Sequence, residues 1–176
     1  MEYSYELKVP KARIAVLIGK NGEVKKGIEA ETNTKIRIDS EEGDVFLKGS
    51  DAIGLYNANE VIKATARGFN PEISMLLLKG DYVFVIIDLG DYAKTKKSML
   101  RLKGRVIGLD GKSRRLIEEL SETHIVVYGK TVSIIGHSEN VAIARKAIES
   151  LLTGSRHSNV YRWLEKKRKG LRMEMF

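Results

Sequence analysis

Apolar residues are concentrated in short runs along the chain, and in several of these runs apolar and polar residues alternate. The first half contains such runs at 3–9, 36–38 and 45–48, and the second half contains them at 82–89, 125–127 and 131–135. Alternation with a period of two is typical of half-buried strands, and an uninterrupted apolar run is typical of a buried strand. Each half therefore predicts three strands, and a short turn joins the last two as a β-hairpin.

Helical periodicity occupies the segments between the predicted strands. Short helices are expected at 11–18, 23–31 and 112–122, and a longer amphipathic helix follows each hairpin. Ser50 or Asp51 and, in the second half, Ser138 are suitable N-cap residues for these longer helices. Each half thus has the order β-α-α-β-β-α.

The two halves form an internal repeat. The stretch "RIAVLIGKNGEVKKGIEAETNTKIRID" matches "LKGRVIGLDGKSRRLIEELSETHIVVY", and each contains Gly-x-x-Gly between two helical segments. We therefore predict an α+β protein in which each of two small domains packs a three-stranded sheet against helices. The expected segments are a first domain at 1–68, a helical connector at 69–80, a second domain at 81–154 and a basic helix or tail at 155–176.

The connector carries helix signals of its own. Asn70-Pro71 is suited to start a short helix, and Gly80 is suited to end it.

Composition restricts the class of protein. Apolar residues make up 43% and charged residues 31% of the 176 residues, which is typical of a soluble globular protein. There is no cysteine, which excludes disulfides and thiol chemistry. No apolar run reaches the roughly 18 residues of a membrane span, and the N-terminus is not patterned as a signal peptide. The expected location is therefore the cytoplasm.

The net charge of +8 favours an anionic partner. Charge alone leaves two alternatives open, a nucleic-acid surface and an ordinary solvated basic surface.

The two Gly-x-x-Gly loops are the candidate binding sites. Glycine allows a sharp turn and close approach of a sugar-phosphate chain, and the N-terminus of the following helix favours anions. The candidate RNA-binding residues are Gly19, Lys20, Asn21, Gly22, Lys25 and Arg37 in the first half, and Arg105, Gly108, Leu109, Asp110, Gly111, Lys112, Arg114 and Arg115 in the second. The alternative interpretation is that the glycines serve only as tight turns.

This arrangement is that of a KH type I domain, whose loop clamps about four nucleotides of single-stranded RNA. One Gly-x-x-Gly is weak evidence, whereas two copies in the same element order strongly favour tandem KH domains. Residue chemistry alone ranks the first loop higher, because Asp110 places a carboxylate in the second loop. Arg37 also offers a base-contacting donor where the second copy has Val126.

Other chemistry is not supported by the sequence. The segment around Gly111 resembles a phosphate-binding P-loop, but Val106 stands where that pattern requires glycine. The three histidines lack metal-ligand spacing, and no nucleophile–base pair is apparent. We therefore expect a protein that is not an enzyme and has no cofactor or metal.

The C-terminal segment is dense in cations. They are Arg162, Lys166, Lys167, Arg168, Lys169 and Arg172. This segment is either a solvated helix or an additional phosphate-contacting arm. Trp163 is either a stacking surface or, as we favour, a helical anchor against the second domain.

Nearly the full chain resembles the archaeal members of the partner-of-Nob-one family, also called dimethylase-interacting protein two. The matching stretches are "AVLIGKNG", "ATARGFNPE", "LKGRVIGLDGKSRRLIEELSETHIVVYGKTVSIIG" and "AIARKAIESLLTGSRHSNVYRWLEK". The resemblance implies a tandem KH factor of small-subunit ribosome assembly that binds single-stranded rRNA near the 3′ end. It also implies partnership with the endonuclease that trims this end and with the α subunit of initiation factor two.

The resemblance and the residue chemistry differ on which loop holds RNA. In eukaryotic relatives the first loop is degenerate and the second carries the RNA role, whereas here the first loop, Gly19–Gly22, is intact. We favour the second loop, because Arg105 and the cations that follow Gly111 offset Asp110. The alternative function is a protein-interaction scaffold in which one KH domain binds a partner protein instead of RNA.

Overall fold

Six strands form two separate three-stranded antiparallel sheets in the computed structural model, which describes residues 1–174. The strands are β1 (Tyr3–Lys8), β2 (Lys35–Asp39), β3 (Asp44–Gly49), β4 (Tyr82–Asp88), β5 (His124–Tyr128) and β6 (Thr131–His137). The strand order is β1-β3-β2 in the first sheet and β4-β6-β5 in the second. The first strand of each hairpin, β2 or β5, is therefore at one edge of its sheet.

Eight α-helices accompany the sheets in the described part of the chain. They are α1 (Lys11–Ile18), α2 (Glu23–Thr32), α3 (Ala52–Ala66), α4 (Pro71–Ser74), α5 (Lys96–Ile107), α6 (Lys112–Ser121), α7 (Ser138–Leu152) and α8 (His157–Glu174). Short 3₁₀ turns at Lys20–Gly22 and Leu109–Gly111 join α1 to α2 and α5 to α6. The predicted order β-α-α-β-β-α is confirmed in both halves, which divide between Gly80 and Asp81.

The hydrophobic core of the first unit lies between its sheet and α1 to α3. Ile36 pairs with Leu47 across the hairpin, and both side chains point at the helices. Leu17 in α1, Ile28 in α2 and Leu55 in α3 are also fully buried. The alternation of apolar and polar residues in β2 thus places one face of the sheet on the core.

The second unit has a larger core, because α8 packs against it as an additional layer. The buried cluster includes Ile117, Ile125, Ile134 and Ile148 and extends to Val160, Leu164 and other apolar residues. Trp163 packs at the margin of this cluster, with the Nζ atoms of Lys146 and Lys167 at 5.4 and 5.7 Å from its ring centre. The interpretation of Trp163 as an anchor is therefore confirmed.

Helix ends differ slightly from the sequence prediction. Asp51 caps α3, since its Oδ1 accepts a hydrogen bond from the Ile53 N–H at 3.1 Å. Ser138 is the first helical residue of α7, and His137 takes the N-cap position without a side-chain hydrogen bond. The predicted helix at Asn70-Pro71 is confirmed as α4, and Thr65 donates a hydrogen bond to Ser74 that joins α4 to α3.

In each unit an arginine side chain donates hydrogen bonds to backbone carbonyls at the C-terminal end of the long helix. In the first unit, Arg13 donates to the carbonyls of Thr65 (3.0 Å) and Phe69 (2.8 Å). In the second unit, Arg105 donates to the carbonyl of Leu151 at 2.9 Å and to that of Ser155. These carbonyls occupy equivalent positions, one from the penultimate helical residue and one from three residues beyond the helix.

No helix within residues 1–174 combines the length and apolar character that a membrane span requires.

The anchoring of α8 generates a stability prediction. Leu164→Ala removes a fully buried side chain from the core of the second unit, so the free energy of unfolding should fall by about 2–5 kcal/mol. The measurement is urea denaturation followed by the fluorescence of the single tryptophan. Met173→Ala is the control, because its side chain is 80% exposed and the change should stay within about 0.5 kcal/mol.

Candidate nucleic-acid interface

The two loops have the same backbone conformation. Gly19 has φ 75° and ψ 176°, and Gly108 has φ 74° and ψ 177°. The third residue of each loop is also left-handed, with φ 57° at Asn21 and 54° at Asp110. Asn and Asp are the non-glycine residues that adopt this region most readily. The repeat therefore extends to the dihedral angles of the loop.

The first glycine of each loop packs tightly against the following helix. A Cβ atom on Gly19 would lie 2.5 Å from Cγ2 of Val24, and one on Gly108 would lie 2.6 Å from Cβ of Ser113. The second glycine is different, since a Cβ atom there would meet only flexible side chains, Lys26 at 3.7 Å from Gly22 and Arg115 at 3.1 Å from Gly111. The outer part of the loop is thus accessible to a ligand, while the inner part is packed.

Each of the two loops has one carboxylate close to it. The first loop is followed by Glu23, an exposed carboxylate in the first turn of α2. The second loop contains Asp110, but the first turn of α6 has no acidic residue and begins with Lys112. Each loop therefore has one carboxylate, inside the second loop and directly after the first, so Asp110 by itself is a weaker argument for the first loop than the sequence suggests.

The whole-unit charges differ strongly. Residues 1–80 contain 12 Lys or Arg and 12 Asp or Glu, whereas residues 81–176 contain 19 and 11. The net charge of +8 therefore lies entirely in the second unit. A polyanion is attracted by this field over distances longer than a single contact.

Three predicted cations are exposed next to the loops. They are Lys20, Lys112 and Arg115, and none of them has an ion pair among the described residues. The Arg115 guanidinium lies against Gly111, since a Cβ atom on that glycine would be 3.1 Å from Nη1. These side chains are placed to contact a phosphate at the loop.

Other predicted cations already have protein partners. Lys25 forms an ion pair with Glu29 at 3.9 Å, and Arg114 pairs with Glu118. Arg105 is bound to the carbonyls at the end of α7. Its contribution to the site is therefore to position α5, and the expected direct phosphate contact is not supported by its geometry.

Arg37 lies away from the first loop. Its neighbours Ile36 and Ile38 pair with Leu47 and Val45 on the helix-facing side of the sheet, so Arg37 points to the opposite side. There its guanidinium stacks on the Phe46 ring, 4.2 Å from the ring centre. The structure thus does not bring Arg37 together with Gly19 and Gly22, because strand alternation turns it outward.

Gly104 is a candidate contact that the sequence reasoning missed. It lies in the exposed face of α5, and a Cβ atom there would have no neighbour within 4 Å. Glycine within a helix is destabilising by about 0.5–1 kcal/mol relative to alanine, and no contact within the unit explains it. Lys97 and Arg101 precede it on the same face, which ends at Gly108. The signal in the sequence is a glycine four positions before the loop.

A groove adjoins the second loop at this face. It has a volume of about 550 Å³ and is lined by Arg101, Gly104, Arg105, Gly108, Leu109, Lys112, Ser113, Leu116, His157 and Tyr161. His157 lies at the start of α8, with Nε2 at 2.8 Å from the Arg105 carbonyl oxygen. The last helix, α8, thus contributes an imidazole (His157) and a phenol (Tyr161) to the lining of the groove beside the second loop.

Metal chemistry has no support in the described residues. Within 1–174, no three or more His, Cys, Asp or Glu side chains are grouped as a metal site.

The open position of Gly104 generates a prediction. Gly104→Leu should stabilise the helix by about 0.5–1 kcal/mol but weaken binding of single-stranded RNA by roughly tenfold, because the side chain occupies the approach to the loop. Thermal denaturation and fluorescence anisotropy measure the two effects.

Gly27→Leu is the matched control for this variant. Gly27 is also a helical glycine with no neighbour near its Cβ position, and the second unit has Leu116 at the equivalent site. It should stabilise the protein without changing RNA affinity. Equal loss of affinity in both variants would contradict the role of Gly104 as a candidate contact.

Family comparisons agree with the two-unit structure. A model for a eukaryotic-type KH domain (KH-domain type I) matches residues 83–169, and a model for the KH domain matches residues 4–64. A KH domain-containing protein of Methanocaldococcus jannaschii is 46% identical over 97% of this chain and 76% of its own length. The pre-rRNA-processing protein PNO1 of Chaetomium thermophilum is 31% identical, and the alignment covers 72% of this chain but 52% of that protein.

Solved structures extend the similarity to nearly the whole chain. Dim2p from Pyrococcus horikoshii has a TM-score of 0.86 and 44% identity, with 93% of this chain and 99% of that chain covered. A chain in the crystal structure of an a/eIF2alpha–aDim2p–rRNA complex from the same organism has a TM-score of 0.89 and 43% identity, with 96% of each chain covered.

Proposed function

Because the chain belongs to the PNO1 (Dim2) family of tandem KH-domain proteins, we propose that it is an RNA-binding factor of small-subunit ribosome assembly. It binds single-stranded rRNA near the 3′ end of the small-subunit rRNA and supports its processing. The second KH domain provides the main RNA surface. The observation that carries this proposal is the location of the entire net charge of +8 in residues 81–176.

The charge distribution supports the second domain for an electrostatic reason. Phosphate contacts dominate the affinity of proteins for nucleic acids, and the electrostatic part of this affinity comes from Lys and Arg side chains that are free to pair with phosphate. Lys112 and Arg115 fulfil this condition at the second loop, and α5 adds Lys97 and Arg101 on the exposed face that leads to it. The first unit has equal numbers of acidic and basic residues, so it lacks a long-range attraction for RNA.

The first domain is the candidate for a protein partner. Its loop conformation is intact, but its neutral charge suits a protein surface better than a polyanion. The relative from Pyrococcus horikoshii has been crystallised with a/eIF2alpha and rRNA. We extend both partners to this chain, together with the endonuclease that trims the rRNA 3′ end. The proposed activity of this chain is binding without catalysis, and its proposed location is the cytoplasm.

Single substitutions in the two loops test which domain holds RNA. Leu109→Asp places a second carboxylate in the second loop, where the leucine side chain is 84% exposed and the fold does not depend on it. Binding to oligonucleotides from the rRNA 3′ end should weaken by at least roughly tenfold, because two carboxylates repel the phosphates. Fluorescence anisotropy measures the affinity.

Lys20→Asp is the matched variant in the first loop. It should change the affinity much less, since the first domain contributes little to RNA binding. These positions are preferable to the loop glycines, whose substitution strains the left-handed backbone. A larger loss from Lys20→Asp than from Leu109→Asp would contradict the proposed role of the second domain.

Reciprocal exchange of Asn21 and Asp110 gives a test that leaves the backbone unchanged. Both residues are left-handed with nearly equal φ, so each loop tolerates the residue of the other. Asp110→Asn should raise RNA affinity by roughly threefold to tenfold, because it removes a carboxylate from the phosphate site. Asn21→Asp should leave the affinity nearly unchanged. Titrations at a fixed salt concentration measure both, and no gain from Asp110→Asn would place the RNA away from this loop.

The exposed cations of α8 have a measurable contribution if they contact phosphate. Arg162, Lys166 and Lys169 are exposed along one side of the helix and have no ion pair among the described residues. Replacing Lys166 and Lys169 with Gln should reduce the slope of log affinity against log salt by about 1 for each phosphate that the variant no longer binds. An unchanged slope would assign this side of α8 to solvent.

A further inference from the structure

A cation and a carboxylate occupy the same two positions of the second helix in each unit. They are Lys25 and Glu29 in α2, and Arg114 and Glu118 in α6. In each unit the carboxylate lies seven positions after the second glycine of the loop, and the cation lies one helical turn before the carboxylate. These pairs are therefore close to the loops but are not part of them.

Both pairs contact the main chain of the edge strand. In the first unit, Glu29 Oε2 accepts the Ile36 N–H at 3.0 Å. In the second unit, Glu118 is hydrogen-bonded to the backbone of Ile125, and Arg114 Nη1 lies 3.4 Å from the Ile125 carbonyl oxygen. Because β5 is an edge strand, these backbone groups have no neighbouring strand to pair with. The Arg114–Glu118 pair occupies them instead.

The Arg114–Glu118 pair keeps unused hydrogen-bonding capacity. A carboxylate has about four acceptor sites, and among residues 1–174 Ile125 and Arg114 use two of those of Glu118. An Arg guanidinium has five N–H donors, and the contacts with Glu118 and Ile125 leave several of them free. Both side chains are partly exposed, with 31% of Arg114 and 22% of Glu118 accessible. A ligand at the edge strand therefore meets two acceptor sites beside a donor.

We propose that Glu118 and Arg114 recognise a guanine base of the bound RNA at the edge of β5. This assignment rests on the proposed RNA-binding function of the second domain. The guanine N1–H and N2 amino group donate to the Glu118 carboxylate, and O6 accepts from Arg114. Glu118 and Arg114 are thus the specificity-determining residues, while the loop holds the phosphates.

The donor and acceptor pattern selects guanine among the four bases. Its Watson–Crick edge has two adjacent donors followed by an acceptor, which complements two acceptor sites and a donor. Cytosine and adenine each have one amino donor beside an acceptor nitrogen, and uracil has a single donor between two carbonyl groups. Each of these bases would direct a lone pair at the carboxylate. Single-stranded RNA exposes this edge because its bases are unpaired.

The surroundings of Glu118 strengthen this selection. Burial raises the pKa of the Glu118 carboxyl, and the charge of Arg114 opposes that shift. A half-buried carboxylate with unused acceptor sites gains more from two donors than an exposed one would, because water satisfies it poorly. In the first unit the cation is Lys25, which is a point charge and lacks the planar donor arrangement of a guanidinium.

Inosine substitution provides the test, since inosine lacks only the N2 amino group of guanine. Single-stranded oligonucleotides from the rRNA 3′ end are prepared with each guanine replaced in turn by inosine. For the wild-type protein, one position should lose roughly tenfold in affinity. With Glu118→Gln, guanine and inosine at that position should bind equally well, because the second carboxylate acceptor is gone.

Two further variants serve as controls. Glu29→Gln changes the equivalent carboxylate of the first unit and should retain the wild-type preference for guanine. Arg114→Lys places in the second unit the residue found at position 25 and leaves Glu118 in place. It should weaken binding of both oligonucleotides while the preference for guanine over inosine remains, and it provides the test if Glu118→Gln fails to fold.

The outcomes separate this assignment from the proposed function. A wild-type protein that binds none of the oligonucleotides would contradict the proposed function and this assignment together. Binding without any inosine-sensitive position would contradict the guanine assignment alone. A preference for guanine that persists in Glu118→Gln, or that disappears in Glu29→Gln, would also overturn it.

Discussion

The left-handed backbone at the first glycine of each loop determines how the two surrounding helices pack. At Gly19 and Gly108 the absent Cβ atom would lie within 2.6 Å of the next helix, so any side chain would force the helices apart. The close packing of each glycine against the following helix brings the end of one helix directly to the start of the next. The outer half of the loop can then present its backbone to a phosphate, and the second helix lies beside the edge strand.

The repeated pattern could be predicted from sequence because its causes are local. Strand alternation, helical periodicity and paired glycines are visible within short windows, and they determine the element order of both units. The roles of the arginines could not be predicted in the same way. Arg105 bonds to carbonyls 46 and 50 residues away, and only the folded chain brings them together. Residue type alone places Arg37 at the RNA site, although the neighbouring isoleucines imply that it points away from the helices.

The two units combine nearly the same loop backbone with different net charges. Their loops agree within a few degrees of φ and ψ, so the backbone geometry does not distinguish one loop from the other. The difference lies in electrostatics. The first unit has 12 basic and 12 acidic residues, whereas the second has 19 basic and 11 acidic residues. Hydrogen-bonding potential adds a second difference, because a guanidinium beside a carboxylate offers a planar pattern and an ammonium does not.

The arginines that close the long helices make the two repeats non-interchangeable. Arg13 lies six residues before its loop and Arg105 only three, yet they satisfy equivalent carbonyls. A chimera that carried α1 in the place of α5 would have Val16 where Arg105 is required. Its arginine would replace Leu102, which is buried in the core of the second unit. Exchange of this helix between the halves therefore transfers a charge into an apolar interior, although the two loops that it precedes have the same backbone conformation.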